Sequence, residues 1–248
     1  MAKQSGIIRI EGSLEGLNFY MRKGKPVVRK AGGGFTRKSI KSKASMVRVR
    51  ENNSEFGRVS QTKKTFLQAL KQMFGEFREP ELHGRMMKLF LNIKDEDRVS
   101  ARGDRNLVEA FKNEGAKKLI QNFQVNPKLA LPDSLGAQAR LDWAQQQLKL
   151  SHVNPGNLLR EKEQRLELSF GSLGFDFDSL KFHAEMAEPV LLGPDDISEE
   201  LVFTTAPLPD QASRKFAALG LRVMEMVNGK AYPLKGVANF GVGILEME

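Results

Sequence analysis

Residues 66–77 read Phe-Leu-Gln-Ala-Leu-Lys-Gln-Met-Phe-Gly-Glu-Phe, and their large apolar side chains recur at the spacing of an α-helix. Counted from the first residue, these positions stand at offsets 0, 1, 4, 7, 8 and 11, which form a single stripe on a helix. The members of the stripe are Phe66, Leu67, Leu70, Met73, Phe74 and Phe77. Burying six such side chains is worth on the order of 10 kcal/mol before conformational entropy is subtracted. The stretch therefore predicts an amphipathic helix that packs on a core.

The segment around this helix keeps the same helical spacing. Two shorter helices are predicted at 104–113 and 115–123. Another helix is predicted directly after Pro80, and the apolar residues on one of its faces are Leu82, Met86, Leu89, Phe90 and Ile93. Residues 58–126 are thus expected to form a small helical bundle.

In the second half of the chain the apolar runs become short and alternate, as is typical of strands. Runs at 140–143 and 148–153 favour a hairpin, although a helix over 137–150 also fits the pattern. Asn228-Gly229 is the strongest two-residue hairpin signal in the chain. The remaining alternating runs are 165–170, 180–186, 201–205, 219–227, 232–234 and 244–247. An antiparallel β-sandwich is therefore expected after the helical bundle.

The N-terminal segment carries three short β-prone runs, at 6–11, 17–21 and 26–30, which are separated by glycines. A meander of this size needs a packed face to be stable, so we expect it to dock on another surface. Residues 31–57 are rich in glycine, bases and small polar residues, which predicts an extended linker. The predicted class is α+β, with an N-terminal β-meander arm and linker (1–57), a small helical bundle (58–126) and a C-terminal antiparallel β-sandwich (127–248).

The positive charge of the chain is concentrated at its N-terminus. The formal net charge is +9, with 39 Lys and Arg residues against 30 Asp and Glu residues. Residues 1–50 hold 13 of the bases and two of the acids, so they carry +11 while the remaining 198 residues carry −2. A localised basic patch indicates a negatively charged partner, whereas a uniform excess mainly affects solubility.

Residues that could carry catalysis are few and scattered. The chain has no cysteine, which excludes disulfides, iron–sulfur clusters, thiolate zinc sites and cysteine nucleophiles. His83, His152 and His183 stand alone, without the spacing of a metal site or a catalytic pair. The run Gly32-Gly33-Gly34, followed by Lys38-Ser39, lacks the pattern of a phosphate-binding loop. We therefore expect a protein that is not an enzyme and that has no cofactor and no metal site.

Two acidic clusters allow competing interpretations. Asp95-Glu96-Asp97 could hold a hard cation, but three acids between two helices are more often a solvated turn or a helix cap. Asp176 and Asp178 alternate with Phe175 and Phe177 along the chain. This alternation predicts that both carboxylates lie on one wet face of a strand.

No export or membrane segment is expected. The N-terminus lacks the apolar core of ~7 to 15 residues that is typical of a signal peptide, and no run of ~18 apolar residues occurs in the chain. Together with the missing cysteine, this pattern predicts a cytoplasmic protein, or one that is part of an assembly built in the cytoplasm.

Two functions fit the basic arm. The first is self-assembly into a homo-oligomer or polymer, in which the arm or a terminal strand completes a neighbour's sheet. The residues expected to make this contact are Ile7, Ile8, Leu17, Phe19 and Val27. The second function is non-specific binding of nucleic acid, because cations neutralise phosphates while aromatic rings stack on bases. The cations predicted for this role, or for binding another acidic partner, are Arg22, Lys23, Lys25, Arg29, Lys30, Arg37, Lys38, Lys41, Lys43, Arg48 and Arg50.

Five short blocks of the sequence form a recognisable set: Gly6-Ile-Ile, Asn18-Phe-Tyr, Val28-Arg29-Lys30, the run 50–58 and the run 227–235. Together they resemble a family of uncharacterised Bacteroidota proteins. Members of that family are similar in having a basic N-terminal β arm, a helical middle and a β-rich C-terminal domain. The resemblance implies the same order of segments in this chain, and it implies no catalytic residue.

Overall fold

The computed structural model describes the backbone of residues 2–3 and, in full, residues 10–31, 36–209 and 214–248. The chain divides into two compact units, Met1–Arg50 and Glu51–Glu248. The units combine a small antiparallel sheet, a group of helices and a larger pair of antiparallel sheets. The predicted α+β class is confirmed.

The first unit contains a four-stranded antiparallel sheet. Its strands are β1 Ala2–Lys3, β2 Gly12–Leu14, β3 Leu17–Arg22 and β4 Lys25–Lys30, in the order β1-β4-β3-β2. Both hairpin turns have positive φ at each central residue, 44° and 78° at Glu15-Gly16 and 51° and 73° at Lys23-Gly24. This conformation matches the right-handed twist of the flanking strands. Most of the run predicted at 6–11 lies outside the described residues.

Residues 37–57 are helical, so the predicted extended linker is wrong over this range. The helices are α1 Arg37–Ser42, a short 3-10 turn at Ala44–Met46 and α2 Val47–Phe74. Thr36 begins α1 by accepting a hydrogen bond from the Ser39 N–H at 3.1 Å. The first turns of α2 carry few apolar residues. They form nevertheless, because extending an existing helix adds one hydrogen bond for each residue that is ordered.

The second unit holds the rest of the helices and nine strands. The helices after α2 are α3 Leu82–Lys94, α4 Leu107–Ala110 and α5 Glu114–Ile120, with 3-10 turns at Pro127–Leu129, Asp133–Leu135, Pro155–Asn157 and Val237–Asn239. The strands are β5 Gln138–Asp142, β6 Gln147–Val153, β7 Gln164–Phe175, β8 Phe182–Met186, β9 Val190–Leu192, β10 Ser198–Thr204, β11 Arg214–Val227, β12 Lys230–Pro233 and β13 Phe240–Met247. The hairpin of β5 and β6 confirms the strand interpretation of residues 138–153 over the helical one.

The strands form two antiparallel sheets that pack face to face. One sheet has the order β10-β6-β5; the other has the order β12-β11-β7-β8, with β13 paired to β11 and β9 paired to β7. Because side chains alternate along a strand, Leu168 and Leu221 of the larger sheet face the smaller one, where they share a core with Phe203. Leu173 and Phe216 point the other way, into a core shared with the helices. The larger sheet is therefore the middle of three layers, and residues 58–126 and 127–248 share one core.

Phe66 lies at the centre of the core between the helices and the larger sheet. Its ring centroid is 5.5 Å from that of Phe90, 5.4 Å from that of Phe175 and 5.1 Å from that of Phe216, and all three contacts are edge-to-face. This geometry is favourable for aromatic pairs. The side chain is fully buried. Phe66 thus joins α2 to α3 and to the strands β7 and β11.

Two glycines let α2 approach the sheet closely. A Cβ atom at Gly171 would come within 2.5 Å of the Met73 terminal methyl, and one at Gly220 would overlap the Phe74 ring. Both glycines are on the side of the sheet that faces the helices, where a larger side chain would push α2 away. Their positions explain why two of the longest strands carry glycine in their interior.

A buried ion network holds α2, α3 and the loop that follows α3. The Glu55 carboxylate, 3% exposed, accepts hydrogen bonds from Lys94 at 2.8 Å, from two Arg105 nitrogens at 2.9 Å each and from the Gly103 N–H at 2.7 Å. Asp95 contacts both Lys94 and Arg105, at 2.5 and 2.8 Å. Burial by itself would raise the pKa of Glu55, but these donors outweigh it and lower the pKa to about 2.

Replacing Phe66 with Ala is expected to lower the free energy of unfolding by about 3–5 kcal/mol, because it leaves a cavity between three rings. Phe56 provides a matched control on the same helix, since its side chain is 52% exposed. Phe56→Ala should change the stability by less than about 0.5 kcal/mol. Urea unfolding of both variants checks this, and equal losses would contradict the central position of Phe66.

Stability is expected to depend on Glu55 in acid. Since its pKa in the folded chain lies below the ordinary 4.5, the stabilisation is complete above that pH and is lost as the pH falls toward 2. Glu55→Gln should cost roughly 3–5 kcal/mol at neutral pH, because it takes the buried carboxylate away from Lys94 and Arg105 and leaves them with the exposed Asp95. The gap in melting temperature between wild type and variant should therefore narrow below pH 4.5.

The exposed Glu188 offers a control with the same chemical change. Glu188→Gln should leave the melting temperature and its pH dependence close to those of the wild type. A Glu55→Gln gap that stays constant from neutral pH down to the acid transition would show that the Glu55 carboxylate does not stabilise the fold in this way.

Candidate interaction surface

The histidines considered for catalysis have unrelated surroundings. His183 contacts Glu185 at 2.7 Å on the exposed strand β8, and His83 contacts the buried Lys63 ammonium at 2.7 Å. His152 is exposed on β6. In the ranges that the structure describes, no three His, Asp or Glu side chains come together as a metal site.

The cluster Asp95-Glu96-Asp97 lies at the end of α3 and in the loop that follows it. Asp97 accepts hydrogen bonds from the N–H groups of Val99, Ser100 and Asn106 at 3.0, 2.9 and 3.0 Å. Burial alone would raise the pKa of Asp97, but these backbone donors outweigh it and lower the pKa. The cluster thus matches the turn interpretation of the sequence.

Asp176 and Asp178 do not share a strand face, so that prediction is wrong. Strand β7 ends at Phe175, and the following residues form a turn. Asp176 accepts hydrogen bonds from the Asp178 N–H at 2.9 Å and from the Ser179 hydroxyl at 2.5 Å. Short polar side chains often close turns in this way, which alternation of residue types alone cannot reveal.

The first unit has a sheet without a buried side chain. In its described part, residues 10–31 and 36–50, every side chain is exposed or half-buried. A sheet gains most of its stability from a face that is removed from water. The two faces of this sheet are therefore the candidate interaction surface.

The register of the strands defines an apolar face on this sheet. Directly paired residues point to the same side, and Leu17 pairs with Leu14, Phe19 with Val28 and Met21 with Pro26. The exposed fractions are 57% for Leu14, 41% for Leu17 and 36% for Met21. The apolar face, as the term is used below, consists of Leu14, Leu17, Phe19, Met21, Pro26 and Val28.

The opposite side of the sheet is cationic and aromatic. The pairs Asn18 with Arg29, Tyr20 with Val27 and Arg22 with Lys25 point to this side. The Arg29 guanidinium carbon lies 5.8 Å from the centre of the Tyr20 ring, within the range of a cation–π contact. The basic face, as the term is used below, consists of Asn18, Tyr20, Arg22, Lys25, Val27 and Arg29.

The residues predicted for assembly are divided by this geometry. Leu17 and Phe19 lie together on the apolar face. Val27, predicted with them, lies on the basic face beside Tyr20, while Ile7 and Ile8 lie outside the described residues. Alternation of Leu17-Phe19-Met21 with the polar residues between them could have indicated two faces from sequence. The sequence alone could not indicate which residues pair across the strands, because the pairing depends on where the hairpin turns.

The predicted cations fall into two groups. Arg22, Lys25 and Arg29 share the basic face, whereas Lys23 is in the turn and Lys30 projects on the apolar side, opposite Leu17. The cations after the sheet lie on helices and the turn between them, and Arg37, Lys38, Lys41, Lys43 and Arg48 are exposed.

Arg50 has a structural role within the first unit. It donates to the Ile40 and Lys43 carbonyl oxygens at 2.7 and 3.0 Å. This guanidinium joins the start of α2 to the end of α1 and is half-buried, so it is separated from the exposed cations around it.

Helix α2, at 28 residues, is long enough to cross a bilayer but is rich in charged side chains. Among the described residues, no helix combines the length and the apolar character that a membrane span requires.

Comparisons of the chain with protein-family models, with curated proteins and with solved structures found no match.

Proposed function

We propose that this chain is a non-enzymatic structural protein that self-assembles through its N-terminal sheet. The observation that carries the proposal is an exposed apolar face on a sheet that has no buried side chain among its described residues. Leu14, Leu17 and Met21 keep between a third and three fifths of their surface in water. Removing apolar surface from water contributes about 25 cal/mol for each Å². A partner for this face therefore stabilises both the contact and the sheet.

The partner is a second copy of the same chain. Among the described residues, one cation, Lys30, lies on this side of the sheet at the margin of the apolar face, so two such faces can meet without strong charge repulsion. The basic faces then point away from each other. The reverse arrangement would bring Arg22, Lys25 and Arg29 of two copies together, which costs free energy in a desolvated contact.

The missing cysteine is compatible with an assembly built in a reducing compartment such as the cytoplasm. The sequence blocks that resemble Bacteroidota proteins are compatible with a bacterial cytoplasm. The compartment remains part of the proposal, since it does not follow from the assembly surface.

Assembly is expected to depend on Leu17 and not on its neighbour Asn18. Leu17→Asp places a charge on the apolar face, whereas Asn18→Asp adds the same charge on the basic face and keeps the oxygen that accepts from Ser13. We expect concentration-dependent oligomers for the wild type and for Asn18→Asp, and monomers for Leu17→Asp. Sedimentation velocity over a concentration series measures the masses.

Nuclease is included in parallel samples, so that oligomers held together by nucleic acid are recognised. A wild type that stays monomeric at all concentrations, or a Leu17→Asp variant that assembles like the wild type, contradicts the proposal. Circular dichroism of each variant confirms that its secondary structure is unchanged.

A second candidate function is non-specific nucleic-acid binding through the basic face. It is favoured by the Tyr20 ring, which lies beside Arg29 on the same face as Arg22 and Lys25. Cations contact phosphates without reading sequence, and an aromatic ring can stack on any base. The two functions are compatible, because they use opposite sides of one sheet.

Binding of single-stranded DNA should then fall steeply with salt. With 6–10 phosphate contacts from the cations of the first unit, the affinity for a single strand is expected to drop by roughly 10²- to 10⁴-fold between 50 and 200 mM salt. Replacing Arg22, Lys25 and Arg29 with Gln should weaken binding and reduce the slope of log affinity against log salt by about 0.7 for each phosphate that is no longer neutralised. Fluorescence anisotropy of a labelled oligonucleotide measures both quantities.

The matched control replaces three exposed lysines of the second unit, Lys88, Lys118 and Lys128, with Gln, which gives the same change in net charge. This control should keep the wild-type affinity and slope. Equal losses in both triple variants would mean that net charge, and not the basic face, governs the binding.

A further inference from the structure

The second unit contains a cavity of about 620 Å³ at the end of α2. Phe77 and Phe240 form part of its wall, with their rings stacked at a centroid distance of 5.6 Å and an interplanar angle of 21°. Leu234 and Val237, from the segment that follows β12, line it as well. Its volume is within the range of about 300–1,000 Å³ that holds small organic ligands.

The charged side chains around this cavity are mostly cations. Arg78, Arg222 and Lys235 line it, together with a single acid, Glu76. The Glu76 carboxylate is 2.6 Å from the Lys71 ammonium, which balances its charge. Within the described part of the chain, neither Arg78 nor Lys235 forms an ion pair. The cavity thus presents an excess of positive charge next to an aromatic wall.

Arg222 is held in place at the carboxyl end of α2. Its Nη2 atom donates to the Phe74 carbonyl oxygen and lies 3.4 Å from the Glu76 carbonyl oxygen. Gly75, with φ of 75°, makes room for the guanidinium, because a Cβ there would lie 2.9 Å from Nη2. Both contacts use one nitrogen of a group that has five N–H donors. The guanidinium is therefore oriented before any ligand binds.

We infer that this cavity binds a small organic carboxylate with an aromatic or branched apolar body. The apolar body would pack on Phe77 and Phe240, and the carboxylate would lie among Arg78, Arg222 and Lys235. Guanidinium–carboxylate hydrogen bonds are among the stronger polar contacts, and Arg binds such groups in a planar, bidentate manner. An organic cation would be repelled, and a neutral analogue would leave the cations without a partner.

Three probes of similar size test the inference on the full-length chain: 4-phenylbutyrate, its isosteric amide 4-phenylbutanamide, and 4-phenylbutylamine. They share one apolar body and differ in charge, so their affinities isolate the contribution of the cations. Isothermal titration calorimetry should give the carboxylate an affinity about tenfold or more above that of the amide, because hydrogen bonds to charged groups are the stronger ones. The amine should give no measurable binding.

Two variants locate the binding. Arg78→Gln combined with Lys235→Gln should lower the affinity for 4-phenylbutyrate toward that of the amide, while Val237→Trp should place an indole ring in the space of the apolar body and weaken binding of both probes. Lys88→Gln combined with Lys118→Gln makes the same charge change at exposed sites outside the lining and should have no effect. The melting temperatures of all variants are measured alongside.

Two results with the wild type would overturn the inference: no binding of 4-phenylbutyrate at millimolar concentration, or equal affinity for the acid and the amide. Two results with the variants would also overturn it: wild-type affinity in the Arg78 and Lys235 double variant, or wild-type affinity in a folded Val237→Trp variant. The double variant keeps the test decisive if the tryptophan prevents folding, because both replaced side chains are exposed. None of these results bears on assembly, which uses residues of the first unit.

Discussion

The packing of Phe66 is the contact on which the second unit depends. Its edge-to-face contacts with Phe90, Phe175 and Phe216 join the helices to the two longest strands of the large sheet. Because that sheet is covered on its other face by the smaller sheet, the strands are buried on both sides. The glycine at position 220 lets the end of α2 approach β11, close to Phe77, which forms part of the wall of the cavity at the end of α2.

The two units differ in how many of their side chains are buried. The second unit removes most of its phenylalanine side chains from water and pairs the buried Glu55 with Lys94 and Arg105. The described part of the first unit buries no side chain, and its sheet separates apolar from cationic residues on two faces. A small sheet is stabilised by a covered face, and the proposed self-assembly would supply one.

Charged groups have different roles in different parts of the molecule. The buried carboxylates of Glu55 and Asp97 accept several hydrogen bonds each and hold loops, so they are structural. The cations of the basic face and of the cavity are instead exposed, except for the half-buried Arg222, and they lie at surfaces that offer aromatic rings, Tyr20 in one case and Phe77 in the other. Cations next to aromatic surface are suited to anions that carry a flat apolar group, either nucleic-acid bases or small aryl acids.

Local spacing in the sequence determined the elements that have a strong period of their own. The stripe beginning at Phe66 became α2, and Asn228-Gly229 became a hairpin turn with φ of 50° and 76°, because both signals act between neighbouring residues. The early turns of α2 over 47–57 could not be predicted, since their sequence lacks an apolar stripe and the helix is propagated from its packed half. The face on which each residue of the N-terminal sheet lies, and the meeting of Phe77 with Phe240, were decided only by the tertiary structure. Strand register and contacts between distant segments depend on how the whole chain packs, and no local pattern encodes them.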